Sequence, residues 1–136
     1  LNDWLKHKPA DAALLDDLHN PEPFPDWLSE VDLAVYAEAF EKKGFRGPLN
    51  RYRAQELDQA LLPEHRGWQL QQPTCMIAGE RDAVRSFFPV VYLDEGAAEG
   101  SADYRGTTLI KDASHWIQQE APAETNAALM QFLQGL

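Results

Sequence analysis

The sequence predicts an α/β fold in two parts: a helical region over residues 1–70, and the last strand–helix–strand–helix stretch of a parallel sheet over residues 71–136. Three observations predict it. Ala, Leu and aromatic residues recur at helical spacing through the first half. Two short apolar runs, "TCMIA" and "TTLIK", each bounded by turn residues, stand in the second half. An amphipathic segment, "AETNAALMQFLQ", follows the second run from Pro122. Parallel sheets are covered on both faces and need more than two strands. The second part therefore reads as the end of a larger α/β domain, with the helical part set upon it.

Each element has its own justification. "PADAALLDDLH" over residues 9–19 carries helical spacing, and the three prolines of "NPEPFPDW" end it. Ser29, with Asp32 three residues on, predicts a capped helix start; Val31, Ala34, Tyr36, Ala37 and Phe40 give that helix an apolar face. Lys42 and Lys43 suit its negative end, and Gly44 its stop. Pro48 predicts the first turn of a further helix running to about Leu62 and carrying Tyr52, with Pro63 beyond it. "TCMIAGE" reads as a buried strand between Pro73 and Gly79, "RDAVRSFF" as a helix start, "TTLIKD" as a second strand, and "SHWIQQEAP" as a loop or short turn.

Composition narrows the function. The chain of 136 residues has 12 Lys and Arg against 22 Asp and Glu, a formal net charge of -10. Binding to phosphate backbones needs clustered cations, so nucleic acid and anionic membrane are excluded as main partners. No apolar run reaches the length of a membrane span, and no signal-peptide pattern opens the chain, which gives a cytoplasmic expectation. The single cysteine, Cys75, has no internal disulfide partner and reads as a small buried apolar group. His7, His19 and His65 have no metal-ligand spacing with one another or with Cys75, so neither a metal nor a cofactor is expected.

The chemistry-bearing residues fall at strand ends. In open α/β sheets reactive groups collect beyond the carboxyl ends of the strands. Asp82 follows the first run through a Gly-Glu-Arg turn, and His115 follows the second through Asp112, Ala113 and Ser114. An acid and then a histidine, after successive strands, is the order of the last two members of a hydrolase triad. The carboxylate fixes the tautomer of the imidazole and stabilises the imidazolium that forms when the ring takes a proton.

The strings "GFRGPLNRYR", "IAGERDAV" and "SHWIQQEAPAETNAAL", with Trp-Leu-Ser-Glu at 27–30, resemble the C-terminal half of α/β-hydrolase-fold epoxide hydrolases. The likeness runs from about Trp27 to the end and is weakest at residues 1–20 and between Phe88 and Arg105. It implies a partial α/β-hydrolase fold: a helical cap (lid) over 1–70 and the C-terminal part of the core over 71–136. It also implies hydrolysis of a small apolar epoxide to a diol through a covalent ester. Asp82 matches the charge-relay acid, His115 the general base, and Tyr52 a cap tyrosine aimed at the epoxide oxygen. Cap aromatics such as Phe24, Trp27, Phe45 and Trp68 either pack the cap or line an apolar pocket.

The sequence departs from the family pattern in three ways. "NDW" at 2–4 and "PDW" at 25–27 lack the glycines that follow the family's nucleophile. The His-Gly-x-Pro oxyanion loop is absent, and no tyrosine precedes Tyr36. The expected partner is thus the N-terminal half of the same protein, carrying the nucleophile and most of the sheet. A haloalkane dehalogenase, disfavoured by Tyr52, or another α/β-hydrolase, and a non-catalytic hydrolase-fold remnant stay open as alternatives. The residue at the nucleophile position separates them.

Overall fold

The computed structural model describes residues 9, 11–13, 15, 16, 18–65, 67–87 and 90–136. In chain order the helices α1 (Glu30–Lys43), α2 (Arg46–Arg53) and α3 (Gln55–Leu61) come first. The strand β1 (Leu70–Gly79), helices α4 (Val84–Phe87) and α5 (Val90–Glu99), strand β2 (Ser101–Ile110), the single turn α6 (Ile117–Glu120) and helix α7 (Pro122–Gln134) follow. Among the described residues β1 and β2 form one two-stranded parallel sheet, with Met76 opposite Thr107 and Gly79 opposite Ile110.

The start of α1 is built as its sequence dictates. The Ser29 hydroxyl accepts from the Asp32 amide at 3.2 Å, and the Asp32 carboxylate accepts from the Ser29 amide at 3.0 Å. Both atoms serve donors that no helical carbonyl reaches. At the other end Gly44 takes φ +67, a left-handed conformation that suits glycine, and donates its amide to the Phe40 carbonyl.

Several expectations change. The helix expected from Pro48 to Leu62 begins earlier, at Arg46, and divides at Ala54 into α2 and α3. Pro48 still falls in the first turn, where a missing amide costs nothing. The helix expected at 9–19 is absent where the stretch is described: Asp11, Leu15 and Asp16 lie in turns, residues 9, 12, 13, 18 and 19 are irregular, and residues 10, 14 and 17 lie outside the described residues. The Asp16 carboxylate accepts from the Ala13 amide, so a side chain takes the place of a helical carbonyl. Both strands are longer than the apolar runs suggested. β1 continues back through Pro73, which has no amide to pair, and its register with β2 slips on either side of that residue. The helix begun by "RDAVRSFF" is followed by the longer α5, which the sequence reading did not include.

Packing is concentrated at one end. β1 is exposed over its first residues and buried at Ala78 and Gly79. Ile110, Ala113 and Ile117 form the buried cluster, with Ile77, Ala121 and Ala128 against it. The Thr125 hydroxyl, buried, donates to the Ile117 carbonyl at 2.9 Å and ties α7 to α6. Cys75, on β1, is half-buried and lines a cleft with Phe132 of α7, and is not fully buried as its sequence context suggested. The apolar face expected on α1 is largely open: Val31 is 74% exposed and Tyr36 45%. A hydrogen bond of 2.6 Å from Gln119 Nε2 to the Tyr36 hydroxyl joins α1 to α6.

Candidate active site

The carboxyl ends of β1 and β2 turn into two loops that are stitched together, and the four residues Gly79 to Asp82 each supply part of the stitch. Gly79 lies under the second loop so closely that any Cβ there would overlap the carbonyl oxygens of Ala113 and Ser114. The Glu80 amide donates to the Ile110 carbonyl at 2.9 Å, and its carboxylate accepts from the Asp112 amide at 3.2 Å. The Arg81 amide donates to the Ala113 carbonyl at 2.9 Å, and its guanidinium donates twice to the Asp112 carbonyl, at 3.0 and 2.5 Å. Asp112 itself takes φ 58, the left-handed bend that lets its carbonyl face Arg81.

Asp82 completes the turn. Its amide donates to the Gly79 carbonyl, and its Oδ1 accepts from the Val84 amide at 2.8 Å, which fixes the carboxylate at the start of α4. Both carboxylate oxygens then face His115 Nδ1, at 3.1 and 3.0 Å. The Asp82 side chain is 12% exposed and that of His115 52%. A carboxylate only accepts, so Nδ1 supplies the hydrogen of this contact, which in a neutral imidazole leaves the lone pair on Nε2. Trp116 meets the imidazole edge-on, with ring centres 5.1 Å apart. The arrangement suits a general base that takes a proton at Nε2 while Asp82 holds the resulting cation.

A further carboxylate shapes this loop. Glu120 accepts from the Ser114 amide and hydroxyl, each at 2.6 Å, and from the Trp116 amide at 2.8 Å. Burial pushes its carboxyl up, but these bonds from Ser114 and Trp116, with the charge of Arg81, outweigh burial and hold it below the ordinary glutamate range. Sequence reasoning singled out neither Glu120 nor Gly79. The signals were a glutamate four residues after Trp116, where a one-turn helix begins, and a glycine at a strand end next to the acid.

Asp82 and His115 are thus brought together. Tyr52 lies on α2, 71% exposed, without a hydrogen-bond partner among the described residues. The structure does not join it to the other two. Of the other aromatic residues singled out in the sequence, Phe45 stacks on Phe40 at 4.5 Å between ring centres, Trp68 tilts against His65 at 5.5 Å, and Trp27 lines a cleft of about 300 Å³ with Tyr36 and Gln119. Among the described residues no helix is long and apolar enough to cross a membrane.

No protein-family model matches the chain. Comparison with individual proteins is more informative. Epoxide hydrolase B of Mycobacterium tuberculosis is 42% identical over 125 residues, covering 92% of this chain. The crystal structure of epoxide hydrolase A from Mycobacterium thermoresistibile superposes on 95% of the chain with a TM-score of 0.82 and 38% identity. Potato (Solanum tuberosum) epoxide hydrolase I superposes on 86% with a TM-score of 0.75 and 32% identity. The chain spans little more than a third of each of these proteins: 35%, 39% and 37% of their lengths.

Proposed function

Because the chain is a homologue of the epoxide hydrolases and shares part of their α/β-hydrolase fold, we propose that it supplies the acid–base half of an enzyme that opens epoxides to vicinal diols. In this reading residues 1–70 act as the helical cap and residues 71–136 as the C-terminal part of the core. The nucleophile, an aspartate, comes from the remaining length of the protein.

The reaction has two steps. The nucleophile's carboxylate attacks an epoxide carbon, the carbon–oxygen bond breaks, and an ester forms while the ring oxygen becomes an alkoxide. The Tyr52 hydroxyl stabilises that charge and supplies its proton. Water then attacks the ester carbonyl, losing a proton to His115 Nε2. Asp82, hydrogen-bonded at Nδ1, stabilises the imidazolium. Collapse of the tetrahedral intermediate breaks the ester C–O bond; the leaving alkoxide takes the proton from the imidazolium to give the diol, and the proton of the new carboxylic acid returns to the Tyr52 phenolate, which restores the carboxylate.

The observation that carries this reading is the Asp82–His115 Nδ1 contact at 3.0 and 3.1 Å, on a histidine whose side chain is half exposed. The test uses the complete protein. His115→Gln is expected to open the ring but not to hydrolyse the ester, so mixing with an epoxide should add the epoxide's mass to the intact protein, and the adduct should persist. Normal steady-state diol formation by His115→Gln would remove His115 from the mechanism.

A further inference from the structure

The geometry points to Glu120 as the positioning residue of the catalytic base, through a carboxylate that grips the backbone on both sides of His115. The assignment of His115 as base rests on the reading given above; the grip itself is a matter of distances. The amides of Ser114 and Trp116, the residues immediately before and after His115, both end on this one carboxylate, at 2.6 and 2.8 Å. The Ser114 hydroxyl adds a third bond of 2.6 Å. The Trp116 amide lies in the peptide plane directly after the His115 Cα, and the Ser114 amide in the plane one residue before His115's own, so the bonds pin the loop on both sides of His115 and with it the approach of the imidazole to Asp82.

The grip is anchored from below. Glu120 closes the single turn α6, and its own amide donates to the Trp116 carbonyl at 2.8 Å. Ala113, just before the gripped segment, and Ile117, just after it, are both in the buried cluster. The loop therefore has fixed ends and a charged centre. Without an acceptor at 120, the part-buried Ser114 amide and the more exposed Trp116 amide lose their partners together. The loop would then relax outward, and Nδ1 would leave the 3.0 Å contact that sets its tautomer.

Glu120→Gln and Ser114→Ala in the complete enzyme test this. Glutamine keeps the size but turns a donor toward one of the bonds; Ser114→Ala removes the hydroxyl bond alone. Two readouts separate positioning from general damage. The first is the downfield proton resonance of His115 Nδ1–H, observed without substrate. It should be present in the wild type, weakened in Ser114→Ala, and lost in Glu120→Gln. The second is rapid mixing with an epoxide, followed by intact mass. Glu120→Gln should open the ring at the normal rate and hydrolyse the ester roughly 10- to 100-fold more slowly, as a displaced catalytic group does, with Ser114→Ala between the two.

An unchanged resonance and unchanged hydrolysis in Glu120→Gln would overturn the proposal. So would an equal fall in both steps, which marks loss of folded protein. If the wild type forms no adduct with epoxides while Glu120→Gln still loses the resonance, the grip stands and the epoxide reading falls.

Discussion

At the scale of single residues, the proposed mechanism assigns the phenol of Tyr52 and the imidazole of His115 to different steps. Tyr52 is exposed on α2, so its hydroxyl rather than its packing is what the site would use. In the complete protein Tyr52→Phe is expected to slow ring opening by about 10²-fold, the worth of one oxyanion donor, and by nearer tenfold if a second donor shares the load. No adduct should accumulate, the opposite of His115→Gln. An unchanged alkylation rate with a lower Tm would make Tyr52 a structural residue. Asp82 and His115 were legible in the sequence because strand ends and chain order locate them without any knowledge of contacts. Glu120 was not, because its role lies in backbone amides, and every residue has those.

At the scale of elements, the two strand-end loops act as one piece. Gly79→Ala is expected to force the Ala113–Ser114 backbone away from β1, since the added methyl has no free volume there. The complete protein should lose stability by about 1–3 kcal/mol, as overpacked sites do, with a parallel loss of ester hydrolysis. Denaturant unfolding with stopped-flow assays would measure both, and a wild-type midpoint would show that the loops yield freely. Glu120 contributes to the acid side of the stability profile. A carboxyl held below its ordinary range stabilises the fold above its unfolded value, and that contribution disappears as pH falls through the folded value. The wild type should therefore exceed Glu120→Gln in stability at neutral pH. The two should converge in acid, below the ordinary glutamate range, and a constant gap across that range would deny the carboxylate its part. The element boundaries show where pattern reading ends. The cap of α1 was visible as Ser29 and Asp32, but the division of α2 from α3 at Ala54 carries no proline or glycine to announce it.

At the scale of the whole molecule, the core is small and sits beneath the site. Large apolar side chains stay exposed on α1, α3 and α7, among them Val31, Leu61 and Leu133. Residues 1–136 purified alone are expected to bind a hydrophobic dye strongly and to form no diol from epoxides. Turnover that tracks the purified chain would contradict the assignment of the nucleophile to another part of the protein. The α/β class was readable from the alternation of runs, whereas the concentration of packing at the strand ends was not, because burial depends on what covers each face. The stitched loops also reverse the usual ranking of motions. The amides of Glu80, Arg81, Asp82, Val84, Asp112, Ser114 and Trp116 all have partners, while α1 and α2 bury none of their residues. Local opening costs least where few apolar contacts hold a segment closed. In deuterium exchange the irregular segment 111–117 should therefore take up label more slowly than the regular helices at 30–53, a timekeeping in which the loops are the slow hand and the helices the fast one.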